Sequence, residues 1–294
     1  MVHSSSQKLP VAVLLAASII WGLSWLPLKF IHQQGIDGVP LVLVSHSLMA
    51  LLMLIAKPSW SQLCAYRGWL LGIGIAGGAA ITSFTYALMH GDVIRVMVLF
   101  YLVPVWGVLG GWIFLREHTG ILRWLGVLLA LGGAYLILGG RAIFTQPPSW
   151  IDMIALLAGI AFAANNLLFR GVDKVDLATK LSAMFIGCAL VALLLLALGA
   201  QEFPTNVGYL PWGWVILYSV TFLLAANIGS QWSVSLLEAG KSSVIMIMEL
   251  VAAVVSAMLV AGESLAPLEW LGCALIVSAA LLEAYRPPAA LAPM

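Results

Sequence analysis

Two ionisable side chains sit where the surrounding residues offer them no water. Glu249 lies in "MIMELVAA" and His46 in "VSHSLMA". A charged or titratable group inside a long apolar run is costly unless it faces a cavity or a partner. The Glu249 carboxyl can hold a substrate ammonium, carry a proton, or bond a backbone carbonyl as a neutral acid. His46 can hydrogen-bond a substrate carboxylate or amine, or a neighbouring helix. Amides and hydroxyls extend the polar set: Ser83, Tyr86, Tyr101, Asn165, Asn166, Asn227 and Gln231. Asn227 and Gln231 are four apart, so they share one helix face. These groups suit the zwitterionic head of an amino acid. They suit equally well a bridge between helices, worth roughly 0.6–2 kcal/mol.

A further candidate is "AASIIWGLSWLPLKF", residues 16–30. Trp21, Ser24, Trp25 and Leu28 recur at i, i+3, i+4 and i+7, which is one face of a helix. Pro27 has no amide to give residue 23, so a bend is expected just before it. Trp21 and Ser24 fit a cavity wall of indole and hydroxyl; ordinary packing beside a proline kink is the other reading. Trp25 and Lys29 are expected nearer the outer interface. Phe84, Tyr101, Trp106 and Trp232 add aromatic surface, which favours flat apolar groups by stacking and cation–π contact. Trp60, Trp69, Trp124, Trp150, Trp212, Trp214 and Trp270 lie near the ends of apolar runs and read as interface anchors.

The elements that must position these groups have almost no polar surface. The chain has 294 residues, 63% hydrophobic and 9% charged, with mean hydropathy +1.07. A soluble domain carries about 25% charge, so the class is a polytopic membrane protein. A net charge of +1 gives no basis for a nucleic-acid partner. Cys64, Cys188 and Cys273 lie far apart in apolar runs and read as small core residues. There is no G-x-S-x-G, no H-E-x-x-H, no aspartate pair on facing spans and no histidine cluster, so neither an enzyme nor a cofactor is expected.

Ten apolar spans are expected at 10–31, 40–56, 68–89, 93–115, 121–140, 150–170, 178–199, 210–236, 239–261 and 267–285. The first, about 20 residues long, reads as a span rather than a cleaved signal. In lipid each backbone polar group must be satisfied within its own segment, so all ten are read as helices. With a cytoplasmic N-terminus, 10 of the 13 Lys and Arg residues fall inside and 3, Lys29, Arg95 and Arg141, fall outside. The positive-inside rule then places both termini in the cytoplasm of an inner-membrane protein.

The chain repeats. A shift of 146 residues brings Asp92 onto Glu238, Arg95 onto Lys241, Glu117 onto Glu263, Trp124 onto Trp270 and Gly126 onto Gly272. A shift of 141 brings Ser24 onto Asn165 and Lys29 onto Arg170. Each copy, 1–145 and 146–294, holds five spans. Five is odd, so the second copy is expected to enter the membrane from the opposite side, as in many secondary transporters. The glycine pairs Gly74/Gly78 and Gly107/Gly111, with Ala253/Ala257 matching the latter, read as close-packing surfaces. Asp92, Arg95, Glu238 and Lys241 at span ends read as snorkelling anchors and local ion pairs, with gate latches as the alternative.

Two stretches carry a family resemblance: "IIWGLSWLPLKF", and "LVPVWGVLGGWIFLREH" followed by "LRWLGVLLALGGAYLIL", in which Pro104 stands thirteen residues before Glu117. The chain resembles the drug/metabolite transporter superfamily, in its EamA-type branch. Within it the chain is most similar to the YddG type of aromatic amino acid exporter. The second half keeps Glu263 but has Leu250 where Pro104 has its counterpart, and the sixth span lacks a mid-span tryptophan. The resemblance implies an all-α basket of ten helices around a central cavity. Spans 1–4 and 6–9 would line it, and spans 5 and 10 would support it. It implies export of amino acids, aromatic or other neutral ones, or of related metabolites, by alternating access. Export of drugs is the alternative. The partners implied are a small-molecule substrate and membrane lipid. One chain suffices for a pore, and a dimer is compatible.

Overall fold

The computed structural model describes residues 8–103, 105–106, 109–110, 121–137, 148–172, 174–236 and 239–284. All regular structure among them is helical. Six stretches are long and apolar enough to cross a membrane: Lys8–Gln33, Gly38–Ala56, Arg67–His90, Trp150–Phe169, Leu177–Ala197 and Tyr209–Ser230. Shorter apolar helices cover Trp124–Ile137, Met248–Ala261 and Pro267–Ala279.

The expected first span is two helices, α1 (Lys8–Gly22) and α2 (Trp25–Gln33). The interruption falls at Leu23 and Ser24, the turn that Pro27 leaves without an amide partner. The second span is α3 (Gly38–Met53) with a 3₁₀ turn, Leu54–Ala56. A short helix, α4 (Trp60–Ala65), was not foreseen from the sequence, because six residues give no periodicity to read. Then come α5 (Arg67–His90), α6 (Val93–Phe100), α7 (Ile121–Ile137), α8 (Trp150–Gly171) and α9 (Leu177–Ala197). The eighth span is α10 (Tyr209–Leu217), a π turn at Tyr218–Leu223 and α11 (Leu224–Leu236). The chain closes with α12 (Ala239–Ser256), a π turn at Ala257–Ala261, and α13 (Pro267–Ala284).

Helix ends are fixed by side chains where lipid supplies no partners. Asp37 caps α3 through Gly38 N, and Asp92 caps α6 through Arg95 N. Asp176 caps α9 through Thr179 N; the Thr179 hydroxyl in turn accepts from Ser59 N, tying α4 to α9. Lysines cap two C-termini: Lys29 Nζ donates to Gly91 O after α5, and Lys180 Nζ donates to Phe169 O near the end of α8. A cation there also meets the negative end of the helix dipole. After α9 the chain reverses at Gly199, whose φ of +73° suits glycine alone among common residues.

The helices form two compact units. One takes 1–24, 92–149 and 225–294; the other takes 25–91 and 150–224. Each unit therefore draws spans from both sequence halves. In the first unit α1 packs on α12 and α7 on α13. A methyl added at Gly133 would lie 2.6 Å from Gly272 O, and one at Gly272 would lie 2.7 Å from Gly133 O. Glycine at both positions is what lets α7 and α13 touch backbone to backbone. In the second unit α5 packs on α8, α9 and α3. There Gly74, half of the expected Gly74/Gly78 packing pair, meets Gly187 of α9.

Candidate functional site

In the first unit the break in the first span carries the most unusual local chemistry. Leu23 N bonds to both Ile19 O and Ile20 O, and Ser24 N bonds to Trp21 O. Beyond these, α1 stops and α2 begins. Ser24 is 1% exposed, and its Oγ has no hydrogen-bond partner. A buried hydroxyl without a partner calls for an explanation, a bound water or ligand among them. Trp21, one turn earlier, is half-buried.

Gly22 joins this break to the one acidic residue deep in an apolar run. A methyl on Gly22 would collide with the Glu249 carbonyl and come 2.8 Å from Ala252 Cβ. The end of α1 thus lies directly on the Glu249 turn of α12. Glu249 is buried, as is Leu250 beside it. Tyr101, just after α6, reaches the same turn: its hydroxyl donates to Met246 O at 3.2 Å, which brings the phenol close to the Glu249 carboxyl. A phenol has one proton to give. Donated to Met246 O, it leaves only the lone pairs of the phenol oxygen to face Glu249. The Trp106 indole N–H and the Ser233 hydroxyl are two further buried polar atoms of this unit without partners. Asn227 is buried, and Gln231 belongs to α11 one turn later.

In the second unit the predicted residues do not gather at one point. His46, 2% exposed, is held by its own helix: Nδ1 lies 3.2 Å from Val42 O and 3.0 Å from Ser45 Oγ. Its ring meets Phe185 of α9 edge-on at 6.0 Å. Asn165 donates to Met184 Sδ at 3.7 Å, while its Oδ1 is buried and unpartnered. A methyl at Gly77 would stand 3.3 Å from that oxygen, so the amide lies against the α5 backbone. Asn166, next in sequence, is exposed. Ser83 is half-buried, with Thr82 beside it holding another buried hydroxyl without a partner. Tyr86 stacks on His90 at 4.1 Å.

Trp25 differs from expectation. It is 4% exposed, and Lys29 Nζ lies 5.9 Å over its ring, so it packs inside the protein instead of at an interface. Lys29 is kept there by its bond to Gly91 O, which outweighs snorkelling outward. Asp92 is a helix cap more than an anchor. Pro104, Gly107, Gly111, Glu117, Arg141 and Glu238 lie outside the described residues.

Sequence reasoning missed two positioning groups. Gly22 gave no signal, since glycine is common throughout this chain. Glu263 was singled out by the repeat and the family resemblance but given no role; its two carboxylate oxygens accept from Val93 N at 2.8 Å and Ile94 N at 2.9 Å. It therefore caps the first turn of α6, the helix that delivers Tyr101. A carboxylate on two free amides at a helix N-terminus is a favourable, charge-assisted pairing.

A protein of known crystal structure is similar over 95% of this chain and 96% of its own, with TM-score 0.60 and 17% identity. That likeness shows the fold. A search of curated proteins gives no match. The family model described as the EamA-like transporter family matches residues 8–139 and again 149–284. With apolar membrane-length helices and nearly the whole length matched, the chain belongs to the EamA-like transporter family, membrane transporters of the drug/metabolite transporter superfamily.

Proposed function

We propose that this transporter exports amino acids, aromatic or other neutral ones, or closely related metabolites, by alternating access through a cavity of ten helices in two inverted repeats. The observation that carries the reading is the first unit's constellation: a helix break with an unpartnered Ser24 hydroxyl, laid by Gly22 on the Glu249–Tyr101 turn. Transporters bind substrate polar heads where helices are interrupted, because the freed backbone groups need partners. A carboxyl and a hydroxyl match an ammonium and a carboxylate, and Trp21 offers a flat apolar side chain a stacking face. A carboxyl such as Glu249, buried beside the Tyr101 phenol, suits a step that alternates between bound substrate and bound proton. His46, Ser83, Tyr86, Asn165, Asn166, Asn227 and Gln231 remain substrate-contact candidates in this proposal. The membrane is the inner one, with both termini cytoplasmic.

The test is uptake into liposomes holding the purified protein, using labelled Phe, labelled Thr and a lipophilic cation, with and without a pH gradient. Saturable Phe flux is expected. Flux of the cation alone would replace this reading with drug export, and flux of neither amino acid would end it. Amino acid flux indifferent to the gradient would remove the proton step alone.

A further inference from the structure

Read along the chain, the histidines form no cluster. Folding makes one within the second unit. His32 closes α2, Asp37 caps α3, and His90 closes α5. His90 Nε2 lies 3.3 Å from Asp37 Oδ1, and His32 Nδ1 lies 3.5 Å from the same oxygen. The ligand atoms of all three lie within 4.8 Å of one another. The two rings are 4.7 Å apart, centre to centre.

Hydrogen-bond bookkeeping shows what this cluster lacks. His90 Nδ1 lies 2.9 Å from Tyr86 O. A carbonyl can only accept, so Nδ1 carries the hydrogen. In the neutral ring Nε2 then presents a lone pair to Asp37 Oδ1, itself an acceptor already bonded to Gly38 N at 2.8 Å. His32 Nδ1 is buried, makes no hydrogen bond and faces the same oxygen. With His32 in its Nε2–H tautomer, three electron-rich atoms converge with no positive centre among them. Protons would supply it only as a His90 imidazolium beside an Nδ1–H tautomer of His32, both aimed at the one Asp37 oxygen that Gly38 N already occupies. One divalent cation serves all three atoms at once.

The histidine–aspartate spacing fits such an ion, and the two histidine nitrogens lie within 4.8 Å of each other. Tetrahedral Zn²⁺ has bonds of about 2.0–2.2 Å to imidazole nitrogen and carboxylate oxygen, which sets ligand atoms roughly 3.3–3.5 Å apart. Both histidine–aspartate separations fall there. The supporting contacts are those of a metal centre: the His90 ring is fixed by the Tyr86 carbonyl and stacked on by the Tyr86 ring, and Asp37 is fixed by Gly38 N. We propose that His32, Asp37 and His90 form a binding site for one divalent transition-metal ion of the Zn²⁺ type, with a fourth position left for water. The ion clamps the ends of α2 and α5 to the start of α3. Imidazole and carboxylate together select Zn²⁺ and its neighbours over Mg²⁺ or Ca²⁺, which take oxygen alone.

The experiment uses the full chain with its purification tag removed. Zn²⁺ is titrated by calorimetry, and Co²⁺ is added separately as a spectroscopic probe. One equivalent of Zn²⁺ is expected to bind and raise the unfolding temperature, with no effect from Mg²⁺. Bound Co²⁺ is expected to give the intense visible bands of a four-coordinate site. His90→Gln and Asp37→Asn are each expected to weaken Zn²⁺ binding by at least about 100-fold. Should a variant fold poorly, the Co²⁺ spectrum of the unaltered protein decides alone. Absent or non-saturable Zn²⁺ binding, a six-coordinate Co²⁺ spectrum, or binding that survives both substitutions in folded protein would overturn the proposal. The first of these outcomes would assign the cluster to protons instead. None depends on whether amino acids are transported.

Discussion

Ser24→Ala separates a residue kept for substrate from one kept for packing. The Ser24 hydroxyl is buried and unpartnered. Leaving such a group desolvated costs about 1–3 kcal/mol. Alanine fills nearly the same space and removes the orphaned oxygen, so the substrate-free protein should gain about 1 kcal/mol. Ser45 gives the matched control. It is fully buried, but its hydroxyl bonds Val42 O at 3.3 Å and His46 Nδ1 at 3.0 Å. Ser45→Ala should lose about 1 kcal/mol, the usual worth of a buried hydrogen bond. The two variants should therefore differ by about 2 kcal/mol, roughly 30-fold in the unfolding constant. Reversible unfolding in mixed micelles, followed by tryptophan fluorescence, measures both. The same preparations are then assayed for Phe uptake. Ser24→Ala should be more stable and slower, the opposite signs expected when a site residue is held against stability. A Ser24→Ala protein that is less stable than the parent would show that the hydroxyl has a partner in the fold. Unchanged flux would remove Ser24 from the site.

The other expectations concern backbone contacts and caps. A methyl on Gly187 would fall on the Gly74 backbone, 2.5 Å from Gly74 O, so Gly187→Ala should destabilise by about 2 kcal/mol in the same unfolding assay, as overpacking does. Gly213 in α10 has open space around it, and Gly213→Ala should instead stabilise by up to about 1 kcal/mol; the same sign for both would refute the α5–α9 contact. Glu263→Ala removes two charge-assisted bonds from the start of α6 and should cost about 2–3 kcal/mol, with Glu263→Gln costing less; equal, small effects would mean the amides find other partners. Tyr101→Phe should cost about 1 kcal/mol through the lost Met246 bond and should shift the pH profile of uptake, whereas an unchanged profile would separate Tyr101 from any proton step.

Much of the fold is legible from the chain because hydropathy needs no partner to be read. Long apolar runs forced helices, and Pro27 announced the break at Leu23–Ser24. Caps such as Asp37, Asp92 and Asp176 are local, three residues or fewer from their amides, yet a reading of the sequence passes over two and takes Asp92 for an anchor. The site was legible only as residue types. Glu249 and Ser24 drew notice for being polar in apolar surroundings, yet nothing in the sequence joined them, since Gly22 is one glycine among 28. His46 drew the same notice, and its bonds proved to be within one helix turn. Glu263 and Val93 are 170 residues apart, so no window along the chain could pair them.

Composition and periodicity thus determined that this chain lives in lipid, that it does so as helices, and where most of them begin and end. Those outcomes follow from each segment's own free energy in a medium without hydrogen-bond partners. Tertiary structure alone decided which polar groups meet. It set Tyr101 on the Met246–Glu249 turn and His32 and His90 on either side of Asp37, and it laid the Gly187 backbone on that of Gly74. Such meetings depend on how helices cross, and the crossing is fixed by small residues whose role appears only once a second backbone lies against them.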